Sequence, residues 1–227
     1  MTYNVNWQEV VLFGGREDSV VRLIDYNDTW VWDGLNWTQK FPPTSPPPRA
    51  YPGMAYDAVH EEVVVFGGES CCALTNNTWV WDGLNWTQKF PATSPISLQA
   101  SYLAYDSIRA ETVLFPAWPQ NEIGTWVWDG NNWIQKQPIS SPRAQIELAM
   151  VYDDAHQQVV LYGGLDPLSS PSLLGETWIW GDIKDSTGAQ FAFPELLRQL
   201  TALSVRENDA KPRSVCGSQR GSHADRR

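Results

Sequence analysis

Three histidines and three cysteines are the side chains in this sequence best suited to metal binding or nucleophilic attack. Their positions argue against both uses. His60 and His156 stand at equivalent places in two copies of an internal repeat, so a structural turn role is expected of them, and His223 lies in the C-terminal tail. No histidine cluster has metal-ligand spacing. Cys71 and Cys72 are adjacent, a pairing that ordinary disulfide geometry disfavours, and Cys216 is remote. They read as ordinary loop residues, and an odd count gives no disulfide framework. A GxSxG elbow, a phosphate loop and an HExxH helix are all missing. The side chains therefore suggest no catalytic constellation, no metal and no cofactor.

The composition points elsewhere. The chain has 227 residues, 13 of them Trp, with 16 Gly and 16 Pro. Its 16 basic and 26 acidic side chains give a formal charge of −10, against nucleic acid as a partner. There is no apolar run long enough to span a membrane and no signal peptide in this chain. Charge and tryptophan are unevenly placed. Residues 1–182 hold all 13 Trp and 21 acidic against 8 basic side chains; residues 183–227 hold 5 acidic and 8 basic. The sequence changes character near Asp182.

Repeats account for the first part. TWVWDGLNWTQKF occurs at Thr29 to Phe41 and at Thr78 to Phe90, TWVWDGNNWIQKQ starts at Thr125, and TWIW at Thr177 begins a fourth copy that then stops matching. Upstream stand MTYNVNWQEVVLFGG from Met1, MAYDAVHEEVVVFGG from Met54, LAYDSIRAETVLFPA from Leu103 and MVYDDAHQQVVLYGG from Met150. Within a copy, the two Trp flanking the DGLN-type turn are always 5 apart, and the second is always 17 before the next upstream block. Only the segment between the blocks varies in length. The period is 53, then 49, then 47.

Each copy reads as four short strands, A to D. MAYD is strand A, the VVLFGG-type run closed by a Gly pair is strand B, TWVW is strand C, and NWTQ is strand D after a DGLN hairpin turn. Asn27, Asn36, Asn76 and Asn85 each begin an N-x-Thr triplet, but turn chemistry alone explains Asn36 and Asn85. The run PPTSPPP from Pro42 to Pro48 reads as a stiff connector. Four strands per repeat of about fifty residues make one propeller blade.

On these residues the sequence resembles the kelch-repeat proteins of the galactose oxidase/kelch superfamily. The likeness rests on the pairs Gly14-Gly15, Gly67-Gly68 and Gly163-Gly164, on Tyr56-Asp57, Tyr105-Asp106 and Tyr152-Asp153, and on the paired Trp columns. It implies an all-β, kelch-type β-propeller of about four blades, an incomplete open arc with blades at about 1–48, 49–97, 98–143 and 144–182. The third copy departs from the pattern at Pro116-Ala117, so that blade should turn differently after strand B. The oxidase's metal-site motif maps onto no residues here. By family resemblance the protein is expected to be secreted or surface-associated. Because register is lost after Trp180 and the first copy starts inside strand A, exposed blade edges and self-association through them are expected. Residues 183–227 are expected to hold one short helix from Pro194 and then disorder, and are compatible with a truncated or frame-shifted reading.

The repeated Trp columns are expected to pack between blades rather than to bind sugar. Function is expected on the face bearing the variable B–C loops, Arg16 to Asp28, Glu69 to Asn77, Trp118 to Gly124 and Leu165 to Glu176. Candidate contacts there are Arg16, Asp18, Arg22, Asp25, Trp118, Gln120 and Asp166. The reading is a non-catalytic scaffold that binds a protein or a glycan. The alternatives are part of a galactose-oxidase-like or sugar-modifying enzyme, and a truncated propeller without independent function.

Overall fold

The alternation of β-branched and aromatic residues with polar ones, punctuated by Asp-Gly and Gly-Gly, folds as successive antiparallel hairpins. The computed structural model describes residues 1–19, 22–70, 73–118, 124–143, 145–166 and 173–181. All belong to one compact unit, Met1–Asp182. Regular structure among them is entirely β, so the fold is all-β. Cys71, Cys72, Gln120, Cys216, His223 and the tail helix expected from Pro194 lie outside the described residues.

The first sheet comprises β1 (Thr2–Asn4), β2 (Glu9–Ser19), β3 (Arg22–Trp32) and β4 (Trp37–Lys40), in that spatial order. The second comprises β5 (Gly53–Asp57), β6 (Glu62–Phe66), β9 (Thr78–Trp81) and β10 (Trp86–Lys89), with a small ribbon of β7 (Glu69–Ser70) and β8 (Ala73–Leu74) between β6 and β9. The third is β11 (Ala100–Asp106), β12 (Glu111–Trp118), β13 (Thr125–Trp128) and β14 (Trp133–Lys136). The fourth has three strands among the described residues, β15 (Ala149–Asp153), β16 (Gln158–Tyr162) and β17 (Thr177–Trp180). Within each sheet every strand pairs with its sequence neighbour in the same register, as in Val11↔Val31, Val64↔Val80, Val113↔Val127 and Val160↔Ile179. The first strands of successive sheets lie beside one another.

The invariant spacings are invariant because side chains fix the turns. At the β1–β2 type of turn, Oδ1 of Asn4, Asp57, Asp106 or Asp153 accepts the N–H groups two and three residues on. At the β3–β4 type, Oδ1 of Asp33, Asp82 and Asp129 does the same, beside a glycine at positive φ. Asp and Asn suit this work because a short side chain can mimic the missing turn of backbone.

Period-2 alternation gives each sheet two apolar faces, and the core lies between sheets. Val11, Phe13 and Val31 of the first sheet cluster with Met54, Tyr56, Val63, Val65, Trp79, Trp81 and Trp86 of the second. Ala55, Val64, Phe66 and Val80 on the second sheet's other face meet Leu103, Leu114, Trp128 and Trp133 of the third. Ala104, Val113 and Val127 then meet Val159, with Met150, Tyr152 and Trp180 against them. The indole of Trp86 donates from Nε1 to Thr29 Oγ1 of the preceding sheet at 2.9 Å, and Trp133 repeats the bond to Thr78 Oγ1, also at 2.9 Å. Buried threonine on strand C is thus an acceptor for the next sheet's tryptophan.

Two expectations from the sequence need correction. Residues from Arg16 to Asp28 are not an irregular loop: β2 and β3 run on as a hairpin ribbon, pairing Arg16↔Asp25, Glu17↔Ile24, Asp18↔Leu23 and Ser19↔Arg22. A register shift at Gly14-Gly15, both at positive φ, interrupts the ladder locally without ending the ribbon. Trp118 is likewise not in a loop; it is the last residue of β12, opposite Ala100. There Pro116-Ala117 takes the place of the Gly pair, and the strand continues, with an irregularity between Ala100 and Ser101.

Candidate binding site

The length-variable segments and the invariant connectors between sheets meet at one end of the sheets. Ala50 bridges Glu69, Thr75 bridges Leu98, and Ile146 bridges Leu165, each pairing a connector with a variable segment. Gly15 N–H donates to Arg49 O at 3.0 Å and Gly68 N–H to Leu98 O at 3.2 Å.

The ribbon of the first sheet places Arg16 and Asp25 directly across from one another, so their side chains share a face. Arg16 Nε donates to Asp25 Oδ1 at 2.6 Å and Nη2 to Asp25 Oδ2 at 3.2 Å, a two-pronged pair. Nη1 reaches Glu69 Oε1 of the second sheet's ribbon at 3.3 Å, while Gln99 Nε2, from the connector into the third sheet, donates to Glu69 Oε2 at 3.0 Å. The guanidinium also stands over the Tyr51 ring, 5.7 Å from its centroid. Both carboxylates and the hydrogen bonds they accept push the Arg16 pKa further up, so its charge is permanent. One chain of polar contacts therefore ties together the rim of three sheets. Glu69, Tyr51 and Gln99 were not singled out by sequence reasoning; no spacing signal marks them.

Two further candidates sit on the same ribbon. Asp18 and Arg22 flank its tip, beside exposed Leu23; exposed Tyr26 donates its hydroxyl to Glu17 Oε2 at 2.8 Å. Asp166 is separate: it is buried beside the fourth sheet, with Arg143 Nη1 3.9 Å from its Oδ2. A depression of about 360 Å³ lies nearby, between Leu148, Ala149, Tyr162, Gly163, Leu165 and Leu174. The structure brings Arg16 and Asp25 together, puts Asp18 and Arg22 on the same ribbon, and leaves Asp166 on another sheet.

Arg49, in the connector to the second sheet, is wholly buried. Its Nη1 donates to Gly67 O at 3.0 Å and Asn77 Oδ1 at 2.6 Å, and its Nε to Pro47 O at 3.1 Å. Nη2 is buried with no hydrogen-bond partner among the described residues. Burial without a carboxylate pulls this guanidinium down to about 10, which still leaves it charged at neutral pH.

The opposite end of the sheets carries the histidines. His60 Nδ1 is 2.8 Å from Asp57 Oδ2 and His156 Nδ1 is 2.7 Å from Asp153 Oδ2, the same turn contact twice over; Arg109 Nη1 repeats it on Asp106 at 2.6 Å. His60 also leaves no space for a side chain at Gly130 of the next sheet. The histidines secure turns. Among the described residues no group of three or more His, Cys, Asp or Glu is arranged to hold a metal ion, and no helix is long and apolar enough to cross a membrane.

Tyr105 at this end offers a pH test. Burial, then the charge of Asp57, pushes its hydroxyl up to about 12. A phenol whose pKa rises on folding contributes stability that is complete below the unfolded pKa and is lost as pH climbs through the folded one. Stability should therefore fall between about pH 10 and pH 12, and Tyr105→Phe should flatten that limb of a urea-midpoint titration.

No protein-family model matches the chain, and no curated protein matches it.

Proposed function

We propose that the four sheets are successive blades of a kelch-type β-propeller arc, and that the chain is a non-catalytic binding module whose ligand, a protein or a glycan, engages the rim built by the variable segments. One observation carries this reading. The first sheet projects a ribbon whose base is locked by Arg16, Asp25 and Glu69 and whose outer part exposes Leu23 and Tyr26 beside charged Asp18 and Arg22. A rigid base that holds an exposed aliphatic side chain on one face of the ribbon and an exposed aromatic on the other, each among charges, offers anchor residues in a fixed orientation. The recurrence of the propeller repeat in all four sheets supports the architectural half of the proposal, and fold by itself says nothing of the ligand.

The test is direct. The full chain and a Leu23→Ala/Tyr26→Ala variant are compared on a glycan array and on a protein array. Binding by the native chain that falls at least about tenfold in the variant, which corresponds to about 1.4 kcal/mol, with the thermal midpoint unchanged, is the expected result. Binding that the variant retains in full, or none by the native chain on either array, overturns the assignment.

A further inference from the structure

The sheets meet by interfaces that are unlike on their two sides. One side supplies the aromatic of strand B and the threonine of strand C; the other supplies the strand D tryptophan that covers them. Trp86 packs on Phe13 at a ring distance of 4.9 Å and bonds Thr29; Trp133 packs on Phe66 at 5.0 Å and bonds Thr78. In these positions Trp86 and Trp133 are 1% and 0% exposed.

The first sheet has the same tryptophan with none of the described residues packed over it. Trp37 leans on Trp32 at 5.7 Å, as Trp86 leans on Trp81 and Trp133 on Trp128, both at 5.4 Å, yet it is 44% exposed. Met1 and Tyr3 on the same face are also exposed. The fourth sheet has the complementary receptor, also uncovered among the described residues. Tyr162 stands in the column of Phe13 and Phe66, Thr177 in that of Thr29 and Thr78, and Val151 in that of Ala55 and Ala104; all three are exposed, whereas their counterparts are buried.

We propose that these two faces join copies of this chain head to tail, with Trp37 of one copy seated on Tyr162 of the next and its Nε1–H donated to Thr177 Oγ1. The occupant is a second copy because the molecule already contains this interface between its own sheets, with the same tryptophan on one side and the same threonine beside an aromatic on the other. Such a contact is heterologous: it closes into a ring when the rotation allows and otherwise extends. The rim ribbon takes no part in it, so its success or failure is independent of ligand binding.

Sedimentation velocity of the full chain across a concentration series tests the proposal. Native protein should gain mass with concentration. Trp37→Arg and Thr177→Arg, both at exposed positions, should each remain monomeric, and Val151→Lys should act as a second change to the receiving face. The decisive sample is an equal mixture of Trp37→Arg and Thr177→Arg. Each then retains the face the other lacks, so the mixture should reach twice the mass of either alone and go no further. Native protein that stays monomeric, Thr177→Arg that associates like the native chain, or a mixture that stays monomeric each overturns the proposal.

Discussion

Replacing Trp133 by alanine should lower the free energy of unfolding by about 3–5 kcal/mol, the range for a large aromatic removed from a packed interior. The residue is fully buried, set edge-on against Phe66 and tilted against Trp128, with its Nε1–H on Thr78 Oγ1. Truncation leaves a cavity between two sheets and strands a buried hydroxyl. The contrast within the repeat is Trp37→Ala, which removes the same side chain from the same repeat position where it is half in solvent. That change should cost under about 1 kcal/mol in dilute, monomeric protein, since large effects need a buried cavity or an unsatisfied group. Chemical denaturation of the two variants side by side separates interior packing from mere aromatic character. Equal losses would mean that the tryptophan columns do not act between sheets.

Arg49→Leu is expected to be the second large effect, on the order of 2–4 kcal/mol, because each acceptor stranded in the interior costs about 1–3 kcal/mol. Gly67 O and Asn77 Oδ1 would both lose the guanidinium. Part of the cost is offset, since a buried charge with no carboxylate is itself expensive to desolvate. The molecule carries its own control. The corresponding connector position before the third sheet is Leu98, equally buried, and the residue in the Asn77 position there is Gly124. Leucine is thus tolerated where the acceptor side chain is missing. A double-mutant cycle of Arg49→Leu with Asn77→Ala should return a coupling of about 0.5–3 kcal/mol, and strict additivity would sever the two residues.

The strands and turns were legible in the sequence because each copy repeats them at fixed spacing, and because Asp33, Asp82 and Asp129 announce their turns by chemistry. The ribbon at Arg16 was not. A hairpin with charged residues on both strands lacks the apolar alternation that marks a half-buried strand, and its pairing is held instead by a cross-strand ion pair that depends on register. Arg49 was hidden for a related reason. A lone arginine after a proline run reads as solvated, and only its alignment with Leu98 and Gln145, both buried, marks the position as interior. Trp118 looked like a loop residue because the repeat pattern fails at Pro116, yet β12 runs on through Pro116-Ala117 and pairs Trp118 with Ala100.

The turns between β3-type and β4-type strands do more than reverse the chain. Asn85 Oδ1 accepts from Thr44 N–H and Asn132 Oδ1 from Ala92 N–H, while Thr93 Oγ1–H donates to Trp133 O at 2.5 Å. The connectors into the second and third sheets are thus stitched to the turn of the sheet they are about to enter. A duplicated stretch of this sequence would therefore arrive with both halves of its own joint, and could be added to the array or removed from it without redesigning a neighbour. Growth by whole units, with the variable segments free to drift in length, is the evolutionary course such stitching leaves open.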